Sequence, residues 1–182
     1  MATNSPPETR ISRGNLPTMV AEHPRARSRS ALALAISLLA VVAASALGGL
    51  ASASSAEVYR RLEQPAFAPP SWVFGPTWTL LYALMAIAAW LVWRTGPGRE
   101  TNRALTLYAV QLVLNAAWTP LFFGLGWRGI AFAELSVLLV VLVATVVAFW
   151  RRSAVAGALL LPYLAWSAFA LCLNFAVWQL NN

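Results

Sequence analysis

The chain contains no lysine and no aspartate. A cofactor held as a Schiff base, such as retinal or pyridoxal phosphate, therefore has no amine to bond. The one histidine, His23, lies in a polar N-terminal stretch, which removes a histidine triad or imidazole relay from the apolar remainder. The one cysteine, Cys172, rules out an intrachain disulfide and reads as a small buried hydrophobe. There is no phosphate-binding glycine loop and no cysteine–histidine metal cluster. An axial haem ligand would have to be Met85 or Cys172, neither with a second partner. A tetrapyrrole bound here would be held by stacking and packing, and no covalent cofactor is expected.

Charge is also scarce. Only 10% of the 182 residues are charged and 59% are hydrophobic, against about a quarter charged in soluble domains. This is the composition of an integral membrane protein. All 13 basic residues are arginines and all six acids are glutamates. The strongly basic balance does not indicate nucleic acid, because the arginines flank apolar segments and read as topology signals.

Residues 1–29 are polar, with Pro6, Pro7, Pro17 and Pro24 and five arginines, and are expected to form a disordered tail. Residues 30–182 form the membrane domain. Five apolar segments follow, near 31–52, 73–94, 104–125, 129–150 and 154–180. Each reaches the roughly 20 residues that a helix needs to cross a bilayer. The expected fold is an all-α bundle of five transmembrane helices. The first segment, between Arg25–Arg29 and Ala51-Ser52-Ala53, also has the outline of a signal peptide; its length favours a retained span.

With five spans, Arg10, Arg13, Arg25, Arg27, Arg29, Arg94, Arg99, Arg103, Arg151 and Arg152 share one side; Arg60, Arg61 and Arg128 take the other. Ten against three puts the N-terminus inside and the C-terminus outside.

Glu134 is the one ionisable side chain well inside a span. An intramembrane carboxyl is a functional candidate, although it can also be a structural tie between helices. Asn115 and Trp118 share a face of the third span, and Trp166, Ala170 and Asn174 share a face of the fifth. The topology places them in the outer half of the membrane with Trp72, Trp78 and Glu134. Above lies the charge-free loop Gln64 to Pro70, with Phe67 at its centre. Polar anchors in an aromatic surround describe an apolar ligand pocket. Two alternatives stay open. The asparagines could simply bond across helices, and tryptophans populate interfacial belts, as Trp90, Trp93 and Trp150 at one end and Trp127 and Trp178 at the other would. Trp118 and Trp166 sit deeper than a belt requires.

Three motifs resemble one family. Pro69-Pro70-Ser71-Trp72-Val73-Phe74-Gly75-Pro76-Thr77-Trp78, Gln111-Leu112-Val113-Leu114-Asn115-Ala116-Ala117-Trp118-Thr119-Pro120 and Pro162-Tyr163-Leu164-Ala165-Trp166, followed by Asn174, are similar to the signatures of the TspO/MBR family of tryptophan-rich sensory and translocator proteins. The resemblance implies a five-helix bundle, usually a homodimer, in a bacterial inner membrane. It implies a pocket under the first loop that binds porphyrins or other planar apolar molecules, with Trp72, Asn115, Trp118, Trp166, Ala170 and Asn174 lining or shaping it. It implies a receptor or regulator linked to tetrapyrrole handling and stress. A transporter, with Glu134 as its proton-coupling carboxyl, and a light-dependent porphyrin-degrading enzyme are the rival readings. Phe67 stands where the family often has tryptophan, which weakens the enzyme reading, because a phenyl ring is harder to oxidise than an indole. The end of the fifth span, Asn174 to Gln179, lacks the tyrosine and basic residue of the proposed cholesterol motif.

Overall fold

A computed structural model describes residues 55–182. The tail and the first span, with its candidate cleavage site, lie outside the described residues.

The described part is helical, with no strand among its elements. A short helix, α1 (Ser55–Arg61), precedes the loop, which turns over Pro65–Ala68 and enters a single 3-10 turn at Ser71–Val73. Then come α2 (Phe74–Arg94), α3 (Arg99–Thr119), a π turn (Pro120–Gly124), α4 (Arg128–Arg152), α5 (Ala154–Leu159) and α6 (Leu161–Leu180). Four stretches are long and apolar enough to span a membrane: Ser71–Arg94, Arg99–Gly124, Arg128–Arg152 and Ala154–Leu180. They are the second to fifth spans read from the sequence. The protein is an all-helical membrane bundle.

The boundaries differ from the reading in instructive ways. The third span begins at Arg99 rather than 104, since charged residues fit a first helical turn that lies at the membrane surface. Its other end widens into the π turn, because Pro120 has no N–H for the helical ladder. Leu125 N–H then reaches back to Pro120 C=O (2.9 Å) and Trp127 N–H to Leu121 C=O (3.0 Å), and Gly126 adopts the positive φ of +68° that the reversal requires. The fifth span is interrupted at Leu160, two residues before Pro162, whose ring cannot continue the preceding hydrogen-bond ladder. Helix α1 was not foreseen. On it, Arg61 by hydrogen bond and Arg60 by charge hold the Glu57 carboxyl below its usual range, but this group is fully exposed and such a pair contributes little.

Helix α3 packs chiefly on α4, and α4 on α6. The interior is built from Leu81, Met85 and Val92 of α2, Leu138 and Phe149 of α4, and Tyr163 of α6, each nearly inaccessible. The outward-facing Val137, Val140, Val143 and Val147 of α4 form the apolar skin that lipid requires. Cys172 is exposed on this skin rather than buried as expected. A thiol is apolar enough to face hydrocarbon. At the arginine-rich end the Arg152 guanidinium donates to Thr95 Oγ1 (2.8 and 3.1 Å) and to Thr95 C=O (3.3 Å), which fastens the α2–α3 turn to the end of α4.

Gly157 on α5 lies against Trp150. A Cβ there would stand 2.6 Å from the indole Cε3 and 2.9 Å from Trp150 Cα. Gly157→Ala must push the α4–α5 corner apart, and we expect it to destabilise the bundle by about 1–3 kcal/mol. Thermal unfolding in detergent measures this, and an unchanged Tm would show the corner to be pliant.

Candidate functional site

Beneath the loop the aromatic side chains form a continuous ladder. Tyr59 of α1 packs edge-on against Phe74 (5.2 Å between ring centroids), Phe74 against Trp166 (5.8 Å), Trp166 against Phe169 (5.5 Å) and Phe169 against Phe67 of the loop (6.2 Å). These are the offset and edge-to-face geometries that aromatic quadrupoles favour. The ladder starts on α1, crosses to α6 and returns to the loop. The Tyr59 hydroxyl donates to Pro69 C=O (3.0 Å), and burial pushes its pKa above the usual phenol value. The loop is also tied to the far end of the chain. Asn181 Oδ1 accepts from Glu63 N–H (2.9 Å), while its Nδ2 donates to Glu63 C=O (2.9 Å) and to Val177 C=O (2.8 Å).

Below the ladder lie two hydrogen-bonded groups, each centred on an asparagine. The Tyr82 hydroxyl donates to Asn115 Oδ1 (2.9 Å), and Asn115 Nδ2 donates to the Tyr163 hydroxyl (3.1 Å). Trp78 covers this group, 5.2 Å from the Tyr82 ring and 6.1 Å from that of Tyr163. In the second group Trp118 Nε1 donates to Asn174 Oδ1 (3.0 Å), and Asn174 Nδ2 donates to Arg128 C=O (3.0 Å). The Trp118 ring stacks on Phe122 at 5.0 Å and meets Phe123 edge-on. The π turn thus supplies the two phenyl rings that hold Trp118 in place.

Of the nine expected residues, Phe67, Trp78, Asn115, Trp118, Trp166 and Asn174 join these aromatic and hydrogen-bonded groups. Ala170, like Trp166, packs against the core. Trp72 does not join them. It stands in the 3-10 turn and is 73% exposed. Glu134 is placed in its own way. Both carboxyl oxygens are shielded, and neither has a hydrogen-bond partner among the described residues. The reading overlooked Phe74, Tyr82, Tyr163 and Phe169. Tyr82 and Tyr163 carried a usable signal, because a tyrosine deep in an apolar helix needs a partner for its hydroxyl.

A separate cavity of about 250 Å³ opens at the start of α4, between Trp127, Arg128, Ile130 and Trp178; none of the nine expected residues lines it. Among the described residues no cluster of side chains is suited to a metal ion.

Asn174 carries one side of the site, and Asn174→Leu would orphan the Trp118 N–H and remove the side-chain donor to the Arg128 carbonyl. We expect a loss of about 1–2 kcal/mol in stability. Adding Trp118→Phe, which removes the orphaned donor, should recover part of that loss in a double-mutant cycle. Additive effects would mean that the bond contributes nothing.

The TspO/MBR family profile matches residues 35–179 of the chain. The match begins inside the first expected span. The chain is 40% identical over 151 residues to the tryptophan-rich protein TspO of Archaeoglobus fulgidus, covering 82% of this chain and 97% of that one. It is 43% identical over 127 residues to the human translocator protein, covering 68% and 75%. It is 40% identical over 149 residues to the tryptophan-rich sensory protein of Cereibacter sphaeroides, covering 82% and 92%.

Proposed function

The chain belongs to the TspO/MBR family, and we propose that it is a membrane receptor or regulator that binds a porphyrin or a similar planar apolar molecule beneath the loop joining its first two spans. The observation that carries this reading is the Phe74–Trp166–Phe169–Phe67 ladder above two asparagine-centred groups. A flat macrocycle gains stacking area against such rings in many orientations. Its few polar atoms find anchors below, chiefly Asn115, Asn174 and the unpartnered Glu134 carboxyl. Trp72, exposed at the mouth, is free to fold over a bound molecule. The absence of a described metal cluster is immaterial to such binding, which needs none. The reading takes the protein to act as a homodimer in a bacterial inner membrane, with its N-terminus in the cytoplasm.

Titration with protoporphyrin IX, followed by quenching of tryptophan emission, tests the binding. We expect roughly micromolar affinity, about −8 kcal/mol. Trp166→Ala removes the middle rung and should weaken binding by about 1–3 kcal/mol. Unchanged affinity in a folded Trp166→Ala protein would remove the ladder from the site.

Orientation has its own test. A periplasm-active reporter fused after Asn182 should be active, as the arginine distribution requires. Activity of a cytoplasmic reporter at that point would reverse the bundle and put the loop, with its site, on the inner face.

A further inference from the structure

One turn from Asn115 along α3, away from the loop, is a second polar position that the ligand site does not use. Gln111 is fully inaccessible, yet its Oε1 and Nε2 have no hydrogen-bond partner among the described residues. One turn further, Tyr108 is 6% exposed, and its hydroxyl also lacks a partner. Residues three apart on a helix are neighbours on one face, so these polar atoms belong to a single patch. The Tyr108 ring is fixed against Phe149 of α4 at 5.8 Å.

An amide that makes none of its hydrogen bonds is costly in any interior and more so at membrane depth, where lipid offers no partner. Internal water is the usual remedy, and it needs two to four polar partners. Gln111 alone offers two, Oε1 and Nε2, and the Tyr108 hydroxyl, one turn away on the same face, offers a third. We propose that Gln111 and Tyr108 form an internal hydration site on the buried face of α3 beside α4, holding water that donates to Gln111 Oε1 and accepts from Gln111 Nε2 and the Tyr108 hydroxyl. The site is independent of the ligand reading. It continues the polar line of Tyr82, Asn115 and Tyr163 by two turns toward the arginine-rich end of the bundle.

Hydroxyl-radical labelling by X-ray radiolysis tests it on the full chain in phosphatidylcholine nanodiscs. Ordered internal water produces radicals in place and marks side chains that bulk solvent does not reach. We expect Tyr108 to be labelled in the native protein, with exposed Trp72 as the dose control. The Tyr108 label should be lost in Gln111→Leu and in Gln111→Met, each compared with the native near-ultraviolet circular dichroism. An unlabelled Tyr108 in the native protein overturns the site by itself, whether or not either variant folds. A Tyr108 label undiminished in a folded variant also overturns it, because the water would then not be held by Gln111.

Discussion

All four described spans are joined through two asparagine side chains. Lipid offers no partner to polar groups, so a polar side chain in a span must bond to another part of the protein or to water held inside it. An amide carries both an acceptor and donors, and each asparagine uses both kinds. Asn115 of α3 accepts from Tyr82 of α2 and donates to Tyr163 of α6. Asn174 of α6 accepts from Trp118 of α3 and donates to Arg128 C=O at the start of α4. Each such bond contributes only about 1 kcal/mol. Their value is directional: apolar helices in lipid slide and rotate cheaply, and four bonds of fixed geometry define one register. The ladder above depends on that register, because Trp166 meets Phe74 only if α2 and α6 keep their relative rotation.

The loop is positioned with comparable care. Asn181 holds the Glu63 backbone from both sides, and the Tyr59 hydroxyl holds Pro69. Proline-rich segments lose little conformational freedom on ordering, so these few bonds suffice to fix the stretch from Glu63 to Pro70. Its one large inward contact is Phe67 on Phe169. Helix α6 therefore carries much of the surface beneath the loop and ends at the loop's anchor, Asn181, while Tyr59 of α1 joins the ladder to the loop at Pro69.

Much of this was legible in the sequence because the membrane imposes a coarse grammar. Apolar runs bounded by arginines mark the spans, and asparagines within them mark contacts between helices. The four described spans, the shared face of Asn115 and Trp118 and the pairing role of Asn174 follow from such signals. What escaped depends on events at helix ends and on side-chain direction. Pro120 and Pro162 were visible, but not that one would widen its turn and the other break its helix at Leu160. Tyr82 and Tyr163 were hidden by their apolar surroundings, although their hydroxyls complete the Asn115 group. The outward position of Trp72 depends on the rotation of one 3-10 turn, which residue spacing does not determine. Cys172 faces outward for a related reason: in a membrane the apolar residues lie on both surfaces of a helix, so hydrophobicity no longer reports burial.

The positions of the helix irregularities bear on the choice between receptor and transporter. Carriers built on broken helices place the break at mid-membrane, where the freed backbone groups coordinate the cargo, and one half of the bundle rocks against the other. Here the π turn at Pro120–Gly124 and the break at Leu160 lie toward opposite ends of their spans. The middle is instead crossed by the bonds that link α2 to α3 and α3 to α6, and rocking would have to break them. A cross-linked core under an anchored loop favours the receptor reading proposed above over the transporter. On that reading a donor group on a bound molecule would satisfy the Glu134 carboxyl, which has no hydrogen-bond partner among the described residues.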